Sequence, residues 1–360
     1  MRLAVEAQQL RRDQRGIGRY VRRLLAAMHT EDAGLAITLG VRSDEDAAAV
    51  SSELRPALGD ALTVVRLDEW QRRSFDVAWY PWNFVRVRPA AGAIVPTLHD
   101  LAPMRRDIDG RWWKLLKRAR ARRAYEHAAR SATLVLTGAR VAAEELARTL
   151  PLSPERIVVV PHAADEFATL GDAPAAEALL ASLGVRGPYV LALASRERRK
   201  NLGVVWRAMD ALHGTEDAMP LVLAGGAAEA LPERPWVRRA GFVSDAVLAT
   251  LYARATTVVV PSRYEGFGLP VLEAMTAGGA VVCADASTLP EVAGDGALYF
   301  PPDDASTLAT HLRTLRREPA TADGLRARGV HRAAGYSWRA SARATLAVFA
   351  RAAAAAAQTR

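Results

Sequence analysis

Four segments of the chain combine residue types and spacings that suit chemistry. The densest is Val258–Val282. An apolar run, Val258-Val259-Val260, leads into Pro261-Ser262-Arg263-Tyr264-Glu265-Gly266-Phe267-Gly268-Leu269-Pro270, and a helical pattern carrying Glu273 follows. Glycines at a helix start let the backbone bring several N–H groups to one point, an anion site suited to two phosphates. Glu265 and Glu273 stand eight positions apart, about two helical turns, so both can address one elongated ligand at opposite ends of its diphosphate. Taken singly, Glu265 is also the acidic residue a helix dipole favours and Glu273 a plain surface carboxylate.

The second segment, Ser195-Arg196-Glu197-Arg198-Arg199-Lys200-Asn201, follows another apolar run. It sets a hydroxyl and a cation cluster at the carboxyl end of a strand. Of the 48 basic residues only three are lysine, so Lys200 stands out as a compact charge suited to a diphosphate leaving group. Arg196 and Arg198 are equally well explained as an exposed basic loop. In the third segment, Thr97–Pro103, His99 ends a strand and can donate to a sugar hydroxyl, although a lone histidine is also often structural. The fourth, Gly16-Ile17-Gly18, separates the first strand from its helix. Position 21 is Val21 rather than glycine, so a nicotinamide-dinucleotide fingerprint is excluded and close backbone approach to a ligand is retained.

These segments need strands to end on and helices to begin. The first half alternates strand-like runs (Leu3–Ala7, Ala36–Val41, Leu62–Leu67, Val77–Tyr80, Ala93–Leu98, Thr133–Thr137, Ile157–Val160) with helical ones, notably Gly18–His29. Pro161 to Pro188 reads as a linker with one short helix. A second series then runs from Tyr189 to Ala284, with helices expected at Leu202–Leu212, Ala246–Ala253 and Leu269–Ala277. Such alternation predicts parallel sheets covered on both faces, and two such units leave a cleft where ligands meet the carboxyl ends of the strands. The expected division is an acceptor-side Rossmann-like domain over 1–165 and a nucleotide-sugar-binding one over 166–339. A helix over about 340–360 is expected to pack back on the first domain.

Composition narrows the class. The chain has 360 residues, 50% hydrophobic and 24% charged, which excludes disorder, collagen and a disulfide-stapled miniature domain. Cys283 is the only cysteine, so no intramolecular disulfide forms and a reducing compartment is expected. No window reaches the length of an apolar membrane span, and the start lacks the order of a signal peptide. The net charge of +9 favours anionic partners, and an arginine-rich coding bias accounts for most of it.

The four segments, in this order, resemble the family 4 retaining glycosyltransferases of GT-B fold. Leu289-Pro290-Glu291-Val292 and Tyr336-Ser337-Trp338 add to the likeness, which is nearest to bacterial mannosyltransferases of surface polysaccharide synthesis, many using GDP-mannose. The resemblance implies an α/β, GT-B architecture of two Rossmann-like domains facing across a cleft. It implies a catalytic set of His99, Glu265 and Lys200. Arg199 and Lys200 would hold the donor diphosphate with Ser195 nearby, and Gly16 would approach the phosphates. Glu265 and the amides of Gly266, Phe267, Gly268 and Leu269 would meet the sugar and phosphates, and Glu273 the ribose. Phe242, Val243 and Ser244 would frame the nucleobase, and His99 would reach the sugar from the other domain. The chain departs from the pattern at Ala163 and Ala194, where glycine is usual, and at Ala280, where proline is. None of the three removes a charged group.

The expected function is transfer of a hexose, mannose as the first choice, from a nucleotide diphosphate sugar to a glycan or lipid-linked acceptor in cell-envelope polysaccharide synthesis. No cofactor or metal is expected. Asp107-Ile108-Asp109 lies among arginines and reads as a solvated turn, and the histidines lack ligand spacing. The alternatives are a nucleotide-sugar epimerase or hydrolase on the same scaffold, or a nucleic-acid-binding protein. The latter lacks aromatic residues interleaved with its basic clusters, and no nucleic-acid partner is expected. A cytoplasmic location is expected, with a peripheral site on the inner face of the plasma membrane as an option. Arg111–Arg123 is a basic amphipathic stretch in which Trp112, Leu115, Leu116 and Ala119 share a face. It suits an anionic bilayer surface, or a domain helix whose apolar stripe enters the core.

Overall fold

The computed structural model describes residues 1–358 except positions 15, 106, 107 and 109–114. Apart from the stretch 106–114, the chain divides into two compact units. One runs from Met1 to His162 and resumes at Ser337, and the other spans Ala163–Tyr336.

The first unit is built on β1 (Arg2–Glu6), β2 (Ala36–Val41), β3 (Leu62–Arg66), β4 (Ser74–Tyr80) and β5 (Ala90–Pro96) in the order β3-β2-β1-β4-β5. All neighbours are parallel. The short pair β6 (Val135–Thr137) and β7 (Ile157–Val159) extends it through a bridge from Thr97 to Leu136. The second unit holds β8 (Val190–Leu193), β9 (Leu221–Ala224), β10 (Val237–Gly241), β11 (Thr257–Val260), β12 (Val281–Ala284) and β13 (Ala297–Phe300), in the order β10-β9-β8-β11-β12-β13. It is parallel throughout.

The reason is visible in the strands. Val258 pairs with Leu191 on one side and Val281 on the other, and all three are at most 1% exposed. Strands with no polar face must be covered on both sides, which crossover helices do. Both sheets have the Rossmann order, which reverses direction next to the first strand of each unit. The reversal lies between β1 and β4 in the first unit and between β8 and β11 in the second. The crevice at such a point, beyond the carboxyl ends of the strands, is where α/β sheets bind ligands.

The helix Asp44–Leu58 lies outside the periodicity read from sequence. It buries only Val50, Leu54 and Leu58, and its start is set by polar contacts. Ser43 Oγ accepts the Asp46 N–H at 3.1 Å, and Asp44, Glu45 and Asp46 occupy the first turn, where the dipole favours carboxylates. The expected linker contains the helix Ala173–Ser182, capped by Asp172 Oδ1 on the Ala175 N–H at 3.1 Å.

The last helix, Trp338–Gln358, belongs to the first unit and lies on the helix Ile17–Glu31 and on β5. Its apolar side is specified by rings: Trp338 meets Tyr20 at 6.1 Å and Phe349 meets Trp79 at 6.0 Å between centroids. Arg339 and Arg343 both reach Glu31, and Ser341 Oγ donates to the Pro161 carbonyl at 2.6 Å. Phe349 is fully buried, so Phe349→Ala is expected to destabilise the first unit by about 3–5 kcal/mol in denaturant unfolding. Arg351→Ala, on the exposed side of the same helix, should change it by less than about 0.5 kcal/mol.

Candidate functional site

The reversal point of the second unit gathers two of the four segments. The chain leaves β8 through Ser195, whose Oγ accepts the Glu197 N–H at 3.2 Å, and tightens into a 3-10 turn over Arg198–Lys200. Asn201 follows in the left-handed region (φ 52°, ψ 35°), a conformation asparagine tolerates better than most residues. Its Nδ2 donates to the Pro302 carbonyl at 2.6 Å, and the helix Leu202–Leu212 begins. This turn aims Arg199 and Lys200 at the neighbouring strand's loop.

That loop leaves β11 and carries Glu265. Its main chain is held from behind: Ser287 Oγ donates to the Glu265 carbonyl at 2.8 Å, and Thr288 Oγ1 to the Phe267 carbonyl at 2.8 Å. The Arg263 N–H donates to the Arg199 carbonyl at 2.8 Å, tying the two loops together. Gly268 has φ 110° and precedes the helix Leu269–Thr276. The dihedral favours glycine, and a Cβ there would stand 3.0 Å from Leu289 Cδ2, so that side chain would have to give way as well. Pro270 sits in the first turn, where its missing N–H costs nothing. The first amides of a helix have no intrahelical partner and carry the positive end of the dipole.

Glu265 is 7% exposed, yet it is ionised. Lys200 Nζ lies 2.6 Å from Oε1 and Arg199 Nη1 lies 3.0 Å from Oε2. Burial alone would raise its pKa. The charges of Lys200 and Arg199, with hydrogen bonds from Lys200 and Ser262, hold it below the usual carboxylate range. Arg199 Nε also donates to Glu197 at 2.6 Å. A carboxylate, an ammonium and a guanidinium thus converge at the head of a helix.

The remaining expected site residues are placed as follows. Glu273 is 6% exposed, in the second turn of its helix, and its Oε2 accepts the Tyr252 hydroxyl at 3.3 Å; it is not a surface carboxylate. Phe242 is 70% exposed beyond β10, while Val243 is buried. Ser244 Oγ accepts the Val247 N–H at 3.2 Å and caps the helix Asp245–Arg254.

In the first unit, Gly16 has φ 61° and ψ −120° at the start of Ile17–Glu31. Gly18 is confined, since a Cβ there would fall 1.7 Å from the Asp13 carbonyl oxygen. His99 is buried among rings, perpendicular to Tyr20 at 5.2 Å. Its Nε2 lies 2.8 Å from the Pro81 carbonyl and its Nδ1 3.3 Å from His162 Nε2. A carbonyl only accepts, so Nε2 carries the proton, and Nδ1 accepts from His162. Burial lowers the His99 pKa to about 4, so the ring is neutral at pH 7. As placed, both its nitrogens are engaged within the first unit, and a ligand hydroxyl would have to replace one of these bonds.

Sequence reading missed Ser287 and Thr288, although a Ser-Thr pair just ahead of Leu289-Pro290 is a sign of side chains bonding local backbone. Asn83 has φ 64° and accepts the His99 N–H on Oδ1 at 2.7 Å. Asp107 and Asp109 lie outside the described residues. Among the described residues no three His, Cys, Asp or Glu side chains gather as a metal site.

Residues 187–318 match the family described as glycosyl transferases group 1. This part of the chain is similar to the group 1 glycosyl transferases. The chain is 37% identical over 161 residues to O-antigen chain mannosyltransferase B of Escherichia coli, covering 42% of each protein. It is 35% identical over 232 residues to the D-inositol 3-phosphate glycosyltransferase of Kineococcus radiotolerans, covering 55% of this chain and 52% of that one. The matches span about half the length of these curated relatives. Among solved structures, a sucrose-phosphate synthase from Thermosynechococcus elongatus superposes with TM-score 0.74 at 17% identity over 98% of both chains. Anabaena HepE in complex with UDP and glucose gives 0.73 at 15% identity over 98% of this chain and 100% of that one. These likenesses and the two Rossmann-ordered sheets identify the fold as GT-B.

Because the folded-state pKa of Glu265 is depressed, its contribution to stability is present above the unfolded value and is lost as pH falls through the folded one. Glu265→Gln is expected to lower stability by about 2 kcal/mol at pH 7. The deficit should shrink below about pH 4, as read from denaturant midpoints across pH.

Proposed function

We propose that the chain is a retaining hexosyltransferase that moves mannose from GDP-mannose to a glycan or lipid-linked acceptor in cell-envelope polysaccharide synthesis. The observation that carries this reading is the meeting of Lys200 and Arg199 with Glu265 at the head of Leu269–Thr276. As the bond from sugar to nucleotide breaks, negative charge grows on the diphosphate. Lys200, Arg199 and the helix start are preorganised to stabilise it. Glu265 keeps both cations in place before the donor arrives. Held between two cations, it is suited to orienting groups and poorly suited to attack carbon. Retention then follows from front-face substitution, with the departing phosphate taking the acceptor's proton.

Exposed Phe242 offers a face for the base. Glu273 addresses the ribose. Ser195 approaches the phosphates. The mannosyltransferase relatives support the choice of sugar.

No helix among the described residues is long and apolar enough to cross a membrane. The basic helix Leu115–Ser131 bears on location. Arg111–Lys114 lie outside the described residues, but Leu115 is 54% and Leu116 75% exposed. The helix buries Tyr125, Ala128 and Ala129 instead, so the expected entry of its leading apolar stripe into the core does not occur at these leucines. Two uncovered leucines beside Lys117, Arg118 and Arg120 suit the surface of an anionic membrane at the cytoplasmic face.

Lys200→Ala is expected to lower the transfer rate by about 10²–10³ while the fold is kept, measured as product formed from labelled GDP-mannose. Donor consumption that needs no acceptor would identify an epimerase or hydrolase instead. Thermal shifts with GDP, UDP and ADP rank the bases, since a ligand that binds only the folded form raises Tm. Leu115→Ser with Leu116→Ser is expected to abolish cosedimentation with anionic vesicles at low salt. Equal recovery of both proteins in the pellet would rule out this face as the contact.

A further inference from the structure

The first unit has its own reversal point, and a cavity of about 410 Å3 lies there, lined by Gln8, Gln9, Arg12, Asp13, Arg42 and Arg86. The first four belong to the loop after β1, Arg42 follows β2, and Arg86 follows β4. The cavity therefore sits at the carboxyl ends of β1, β2 and β4, the position that parallel sheets reserve for ligands.

Its charge is unbalanced. Three guanidinium groups stand against two carboxylates, Asp13 in the lining and buried Glu6 near Arg42 and Arg86, and Asp13 is turned into the loop. Asp13 Oδ2 accepts the Gly18 N–H at 2.9 Å and Trp82 Nε1 at 3.2 Å. Among the described residues the side chains of Arg12 and Arg42 make no ion pair or hydrogen bond, whereas that of the adjacent Arg11 is paired with Glu45 at 2.6 Å and Asp46 at 3.1 Å. The Arg86 guanidinium is stacked over Phe84, Cζ 4.9 Å from the centroid, so one face of the fork lies on the ring and its N–H edge is what a ligand could meet. Glu6, buried at the end of β1, feels the charges of both Arg86 and Arg42. Guanidinium groups on three separate loops at one ligand position match an oxyanion with two or more acceptor oxygens.

We propose that this cavity binds a phosphate ester carried by the acceptor, so that the acceptor is anionic and Arg12, Arg42 and Arg86 select it. The inference rests on the reading above, in which the second unit takes the donor and leaves the first for the acceptor. It adds to that reading a substrate class and three residues that determine specificity. The ester is either a sugar phosphate or the phosphate of a lipid-linked glycan; the chemistry recognised is the same.

The test is calorimetric binding to the full chain with a nucleoside diphosphate saturating. The probes are mannose 1-phosphate, its octyl phosphodiester and neutral methyl mannoside. The two phosphorylated probes are expected to bind at least about tenfold more tightly than the neutral one. The double variant Arg42→Ala with Arg86→Ala is expected to erase that preference and leave nucleoside diphosphate binding unchanged. Arg42→Lys with Arg86→Lys should recover part of it, which controls for folding. Stronger binding of the octyl diester than of mannose 1-phosphate assigns the lipid-linked source, and the reverse assigns the sugar phosphate. Equal binding of charged and neutral probes, no binding of either phosphorylated probe at millimolar concentration, or a preference lost in Lys200→Ala but kept in the arginine variant would overturn the proposal. Failure of every nucleoside diphosphate to bind, with mannose 1-phosphate still dependent on Arg42 and Arg86, would strike the donor reading and leave the phosphate pocket standing.

Discussion

A carboxylate enclosed by protein keeps its charge only where cations are brought to it. Glu265 receives two, from Lys200 and Arg199, residues 65 and 66 positions away in the chain. No local structure could arrange that meeting. It depends on β8 and β11 being neighbours although β9 and β10 intervene in sequence. The strand order of the second unit is thus what keeps this site ionised, and any repacking that separated the two strands would strand a buried charge.

The surrounding backbone is specialised to hold that meeting in register. Left-handed Asn201 ends one loop, and Gly268, which no side chain could replace without strain, ends the other. Ser287 and Thr288 fasten the second loop from a third segment. The first unit uses the same device at its own reversal point, where Asp13 fixes the loop around Gly18. One architectural rule therefore places basic side chains at two strand-end positions of different character. The first is a preassembled ion cluster, and the second is a set of guanidinium groups on separate loops.

Much of this was legible in the residues. The bounds of strand Ala36–Val41 and helix Leu202–Leu212 were read as they are found, because each is an apolar run or stripe between plain breakers. Helix Asp44–Leu58 and strand β10 were not. One is governed by capping and dipole rather than by a wide apolar face, and the other carries Arg238 and Arg239 in its middle. At the site, residue type and spacing exposed Glu265, Gly268 and Lys200. They were silent on what these residues do to one another before a ligand arrives. The engagement of His99 by Pro81 and His162 was equally hidden, since it depends on a contact between residues 63 positions apart. A histidine at a strand end looks the same whether its nitrogens face solvent or a neighbouring ring.

The return of Trp338–Gln358 to the first unit has a consequence for biogenesis. The second unit is nearly continuous in sequence and can close as soon as it leaves the ribosome. The first cannot, because Tyr20, Trp79 and Glu31 wait for Trp338, Phe349, Arg339 and Arg343. During synthesis the half made earliest is therefore the half finished last. Its unfilled apolar flank stays open to chaperones or to aggregation until the final helix has been translated.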